Sequence, residues 1–125
     1  MNDHSEDKGR ILVVEDSPVL SLRAEDILTD RGFFIVGPAY DMMQAIDLAK
    51  REQIDAAVID LNIRGEKSFD VMKTLEERGV PFVITSGYAD WSMPEEWRER
   101  PRLQKPFEDD ALAGAVRDLL RSEDD

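Results

Sequence analysis

The 125-residue chain contains no cysteine, which excludes disulfides and thiolate metal sites and fits a reducing, cytoplasmic setting. It has no run of about 18 apolar residues, so no membrane-spanning helix is encoded. No apolar stretch preceded by basic residues reads as a signal peptide. Basic residues are in the minority, 16 Lys and Arg against 28 Asp and Glu, for a net charge of −12. Without a basic stripe to neutralise phosphates, direct nucleic-acid binding is not expected. The acid excess favours solubility and encounter with basic partners. Histidine is nearly absent: His4 alone, in the acidic stretch "NDHSED". Residues 1–8 and 122–125 read as solvated acidic tails, where a lone imidazole has no fixed partner. What remains, residues 9–121, is one domain with one core, and a hydrophobic content of 42% is enough to build it.

Within those bounds, strand and helix signals alternate. "ILVV", Ile11 to Val14, is a buried strand. A helix opens at Ser17–Pro18, an N-cap residue and a first-turn proline. Leu20, Ala24, Ile27 and Leu28 share one of its faces, and Gly32 stops it. "FFIVG" is a second strand, and Asp41 caps a helix bearing Met42, Ala45, Ile46 and Ala49 on one side. "AAVID" is a third strand, followed by a helix with Phe69, Met72 and Leu75 that stops at Gly79. "PFVIT" is the fourth strand and "RLQ" a brief fifth; the last helix carries Leu112, Val116, Leu119 and Leu120. Strands separated by such helices imply right-handed crossovers and a parallel sheet covered on both faces. Five of them fit an α/β, flavodoxin-like doubly wound fold with strand order 2-1-3-4-5.

In such a sheet, ligands bind beyond the carboxyl ends of the strands, at the switch point between strands 1 and 3. The first strand ends in Glu15 and Asp16, the third in Asp60, the fourth in Thr85 and Ser86; the fifth runs into Lys105. Three carboxylates brought together repel and raise one another's pKa unless a cation sits among them. An all-oxygen site with room for water suits Mg²⁺ better than zinc, which prefers nitrogen and sulfur. With Lys105 and a hydroxyl alongside, the set is suited to handling a phosphoryl group.

The stretches "VVEDS", "AAVIDLN", "PFVITSGY" and "LQKPF", in this order and spacing, closely resemble the receiver domain of bacterial response regulators. "DLNIRGE" and "VPFVITSGY" further resemble a single-domain subgroup named for a Phe-Ala-Thr-Gly-Tyr motif, with Thr85 here in place of the alanine and Ser86 in place of the threonine. The resemblance implies that Asp60 accepts phosphate from a sensor histidine kinase or a histidine phosphotransfer protein. It implies Mg²⁺ bound by Asp16 directly, by Glu15 largely through water, by Asp60 and by the backbone carbonyl of Asn62. Ser86 and Lys105 would engage phosphoryl oxygens, with the Lys105–Pro106 bond cis, as proline permits. Thr85 is expected to be a strand residue, and Gly87 to leave room for the phosphoryl group.

One position departs from the family pattern. Arg102 stands three residues before the lysine, where a switch aromatic is usual, so readout is expected elsewhere, with Tyr88 and Trp91 as candidates. Both lie in the poorly patterned segment 86–101, expected to be the mobile switch. Trp97 and Arg98 in "PEEWRER" fit either a short helix or a binding patch. Output is expected through an unidentified downstream protein or as a phosphate shuttle or sink, by a monomer or a weak phosphorylation-dependent dimer. Three rivals stand beside this reading. A phosphatase of the haloacid-dehalogenase type needs a second Asp where Asn62 stands. A flavodoxin-like nucleotide binder needs a glycine-rich turn where "EDSP" stands. An unphosphorylated pseudo-receiver scaffold would not need the full set of phosphorylation residues present here.

Overall fold

The computed structural model describes residues 8–87 and 94–124, with side chains through residue 121. Among the described residues, seven strands and four α-helices follow in chain order: β1 (Arg10–Val14), α1 (Pro18–Asp30), β2 (Phe34–Ala39), α2 (Met42–Arg51), β3 (Ala56–Asp60), β4 (Asn62–Ile63), β5 (Glu66–Lys67), α3 (Phe69–Glu77), β6 (Phe82–Ser86), β7 (Arg102–Gln104) and α4 (Asp109–Asp124). Five strands make one sheet in the order β2-β1-β3-β6-β7, every pairing parallel. By position this is the expected 2-1-3-4-5, because β4 and β5 form a separate antiparallel hairpin. That hairpin is an addition the sequence reading lacked.

Alternation along the strands divides the core into two layers. Leu12, Val14, Ala57, Ile59, Phe82 and Ile84 pack toward α2 and α3. Ile11, Val13, Ala56, Val58 and Val83 pack toward α1 and α4. The central strands β3 and β6 are buried along their whole length, as a doubly covered parallel sheet requires.

The helix starts match the sequence signals. Ser17 Oγ accepts from Leu20 N and Pro18 opens α1; the Asp41 carboxylate accepts from Gln44 N at 2.8 Å. One expected core position moves: Ser21, rather than Leu20, is fully buried. A buried serine is tolerated because its hydroxyl donates to Pro18 O at 3.1 Å.

Two further differences bear on the site. Strand β2 does not stop at Gly37 but continues to Ala39, with a register irregularity against β1 between Leu12 and Val14. Gly37 has φ +94°, and a Cβ there would meet Ala39 N at 2.9 Å, so the position needs glycine. The extension lets Ala39 O accept from Glu15 N at 3.0 Å. The second difference lies after β6, where Glu95–Trp97 form a 3₁₀ turn and Trp97 is buried against Phe82, ring centroids 5.9 Å apart. The Arg100 guanidinium covers Phe82 at 4.6 Å and pairs with Glu76 at 2.8 Å. Trp97 is therefore core, not a binding patch, and through Trp97 and Arg100 the end of segment 86–101 is anchored on Phe82.

Candidate functional site

The carboxyl ends of β1, β3 and β6 and the residue after β7 converge as the sheet order requires. Register sets the spacing: Val14 lies beside Ile59, Asp60 beside Thr85, and Ser86 beside Gln104. Lys105 is held by its own backbone N–H on Ser86 O at 2.8 Å, and the Lys105–Pro106 bond is cis as expected. Asp60 and Ser86 close β3 and β6, while Glu15 and Lys105 directly follow β1 and β7, so all four stand at one edge of the sheet.

Lys105 Nζ donates to Asp60 Oδ2 at 2.7 Å and to Glu15 Oε1 at 3.1 Å. Glu15 and Asp60 are buried, and so are Thr85 and Ser86. Burial pushes the Asp60 carboxyl above its ordinary range, although the Lys105 hydrogen bond and charge pull the other way. Glu15 moves up as well, chiefly through burial, against a backbone bond from Ser17 N that favours the ionised form. Burial alone would lower the Lys105 ammonium, but Asp60 and Glu15 outweigh it and its net direction is up. Charge on either acid is costly unless a cation stands beside it, and the protein supplies one ammonium for three carboxylates.

One carboxylate oxygen from each of Glu15, Asp16 and Asp60 lies within 4.8 Å of the others. Oxygens on opposite sides of an octahedral Mg²⁺ are about 4.1 Å apart, given Mg–O distances of 2.0–2.1 Å. Adjacent ligand oxygens are about 2.9 Å apart, so a spacing of up to 4.8 Å leaves room for a small hard ion together with water. The donors are all oxygen, which disfavours zinc. The acidic pocket fits a hard divalent cation.

Three supporting contacts were not anticipated. Ser17 N donates to Glu15 Oε2 at 3.0 Å. Arg64 N donates to Asp16 Oδ2 at 2.8 Å. Ser68 Oγ donates to Asp60 O at 2.7 Å. The last two depend on the β4–β5 hairpin, whose two-residue turn has φ +51° at Arg64 and +85° at Gly65. Consecutive positive φ values are the mark of a tight hairpin turn, and the Arg64–Gly65 pair was its only visible sign. Asn62 opens this hairpin and donates its N–H to Asp60 Oδ1 at 3.2 Å.

The remaining sequence candidates separate. Thr85 is a buried strand residue whose carbonyl accepts from Leu61 N. Gly87 directly follows Ser86 at the same edge and is half-buried. Arg102 is exposed on the edge strand β7, paired with Ile84. Tyr88 and Trp91 lie outside the described residues.

A family described as response regulator receiver domain matches residues 11–117. SdrG from Sphingomonas melonis is 40% identical, with a TM-score of 0.79 over 89% of this chain and 95% of that one. Sporulation initiation phosphotransferase F of Bacillus subtilis is 24% identical over 116 residues, 89% of this chain and 93% of that protein. The receiver domain of a sensor histidine kinase from Pseudomonas aeruginosa, solved with magnesium in its active site cleft, is 23% identical with a TM-score of 0.75, covering 90% and 98% of the two chains. Other curated relatives are longer: the chain spans 34% of a nitrate/nitrite response regulator of Escherichia coli and 54% of a transcriptional regulator of Mycobacterium tuberculosis.

Proposed function

The chain belongs to the response regulator receiver domain family, and from that premise we propose that Asp60 is its phosphoacceptor, served by a sensor histidine kinase or a histidine phosphotransfer protein. The observation that carries this reading is Lys105 Nζ at 2.7 Å from Asp60 Oδ2, inside a cluster of three carboxylates. An Asp60 oxygen attacks the phosphorus of a phosphohistidine; the new O–P bond forms as the P–N bond breaks, and the imidazole nitrogen leaves with its electron pair. Charge grows on the equatorial oxygens during this transfer. Lys105 is released from the carboxylate it neutralises and takes one of those oxygens; the Ser86 hydroxyl donates to another.

Asp16, Asp60 and the Asn62 carbonyl would hold Mg²⁺, with Glu15 acting through water. The bound ion supplies charge neutralisation for the carboxylates and the incoming phosphoryl group. Asp16 is oriented for this by the Arg64 N–H, and Glu15 by Ser17 and Lys105. The magnesium seen in the Pseudomonas receiver supports the same choice of ion.

Output, on this proposal, runs through protein contact or through passing the phosphoryl group onward in the cytoplasm. The relative named as a phosphotransferase, matched over almost its whole length, supports the second route. Exposed Arg102 in the place of an inward-moving aromatic argues against the usual readout. Incubation with a small phosphodonor and Mg²⁺, followed by intact mass spectrometry, should add one acid-stable, base-labile phosphoryl group. Asp60→Asn should abolish it while remaining folded; full labelling of that variant would refute the assignment, and no labelling of the wild type would favour a scaffold.

A further inference from the structure

Ser68 stands at the N-cap of α3, the place where a serine ordinarily accepts a helix N–H. Its side chain makes no capping bond. The hydroxyl instead turns back along the chain and donates to Asp60 O at 2.7 Å, and to Leu61 O at 3.2 Å. Ser68 N also donates to Leu61 O, at 2.9 Å. The residue is fully buried, so no water competes, and its single proton is shared between two carbonyls, chiefly the nearer Asp60 O.

These contacts close the base of a loop that runs from Asp60 through the β4–β5 hairpin. Asn62 lies inside that loop, paired with Lys67 in the hairpin. Arg64, at the hairpin tip, holds Asp16. Together with the Ser68 N–H, one buried hydroxyl therefore braces the backbone from which three elements of the acidic pocket are aimed: the Asp60 side chain, the Asn62 carbonyl and the Arg64 N–H. A serine forgoing its own helix cap for this is a local conflict of the kind that occurs at functional sites.

We propose that Ser68 is a positioning residue for the Mg²⁺ pocket, acting through the Asp60 carbonyl and the hairpin rather than by touching the ion. This rests on the reading of Glu15, Asp16 and Asp60 as the metal pocket. Outer groups that orient metal ligands commonly affect metal affinity about 10- to 100-fold. Ser68→Ala removes the donor and nothing else, and because the hydroxyl caps no N–H, α3 loses no cap.

The test is calorimetric titration of the full chain with Mg²⁺ alone, in wild type and Ser68→Ala. The variant should bind about tenfold more weakly or worse. The half-saturating Mg²⁺ for labelling by a small phosphodonor should rise in parallel, while the labelling rate at saturating Mg²⁺ stays close to wild type. A Mg²⁺ affinity within twofold of wild type, with the fold intact by circular dichroism, would overturn the proposal alone. A lowered thermal midpoint with unchanged Mg²⁺ affinity would assign the hydroxyl to folding and overturn it too. A wild-type chain that takes no Mg²⁺ would overturn both this inference and the reading it rests on.

Discussion

Replacing Asp16 with Asn should make the metal-free protein more stable and the Mg²⁺-loaded protein less stable than wild type. The one ammonium in the pocket bonds Glu15 and Asp60, whereas Asp16 is met by a backbone N–H from Arg64. Two unit charges 4.8 Å apart, the outer limit of the oxygen spacing here, repel by about 3.5 kcal/mol at an effective dielectric of 20, and by about 0.9 kcal/mol in bulk water. Asp16 is only half-buried, and its charge weighs less on Asp60 than burial or Lys105 does. The lower end therefore applies, and removing the charge should gain about 1 kcal/mol. The Asn carbonyl can still accept the Arg64 N–H, so no donor is orphaned. In urea, with a slope of about 1–3 kcal/mol per molar, the midpoint should rise by about 0.3–1 M. Mg²⁺ at a hundred times its Kd should then stabilise wild type by about 2.7 kcal/mol and the variant scarcely at all, reversing the order. A variant that melts at or below wild type without metal would refute the repulsion argument. One that gains as much from Mg²⁺ as wild type would remove Asp16 from the ligand set.

Glu15→Gln should raise the half-saturating Mg²⁺ for labelling less than Asp16→Asn does, since a water-mediated partner loses less than a direct ligand; the opposite ranking would exchange the two roles. Because burial raises Asp60 and Glu15, the folded metal-free protein takes up protons ahead of the unfolded chain. These two groups should therefore stabilise it as pH falls through their folded pKa values, the gain being complete below the unfolded values of about 4. The difference in urea midpoint between Asp60→Asn and wild type should shrink between pH about 8 and about 4.5; a constant difference would show that Asp60 does not titrate as described. Trp97→Ala should cost about 3–5 kcal/mol in urea unfolding, as for other buried aromatics, and a loss under about 1 kcal/mol would return Trp97 to the surface.

The main sheet and the convergence of Glu15, Asp16, Asp60, Ser86 and Lys105 were legible because parallel strands buried on both faces are continuously apolar. The first polar residue after each run then marks a strand end on one side of the sheet. What was not legible is local and short. Strands β4 and β5 have two residues each, with Glu66 and Lys67 exposed, and leave no periodicity. Strand β2 runs through Gly37 and Pro38, residues that ordinarily signal a stop. Trp97 lies in a charged stretch whose single aromatic gives no pattern, and its burial depends on the chain folding back onto Phe82 at the start of β6. Ser68 could not be distinguished from an ordinary cap, because composition does not say which way a hydroxyl turns.

The order in which the pocket is spelled along the chain has a consequence for its biosynthesis. Lys105 follows Asp60 by 45 residues, and it lies just beyond the strand that completes the sheet. At translation rates of about 5–20 residues per second, Asp60, the last of the three acids, leaves the ribosome about 2–9 s before the lysine. During that interval a nascent chain has the mutually repelling carboxylates but neither the ammonium nor the neighbouring strand that fixes Ser86. On the proposed chemistry, a half-made chain cannot draw phosphoryl groups away from finished molecules. On that proposal, completing the sheet and gaining the lysine that the transfer needs are one event.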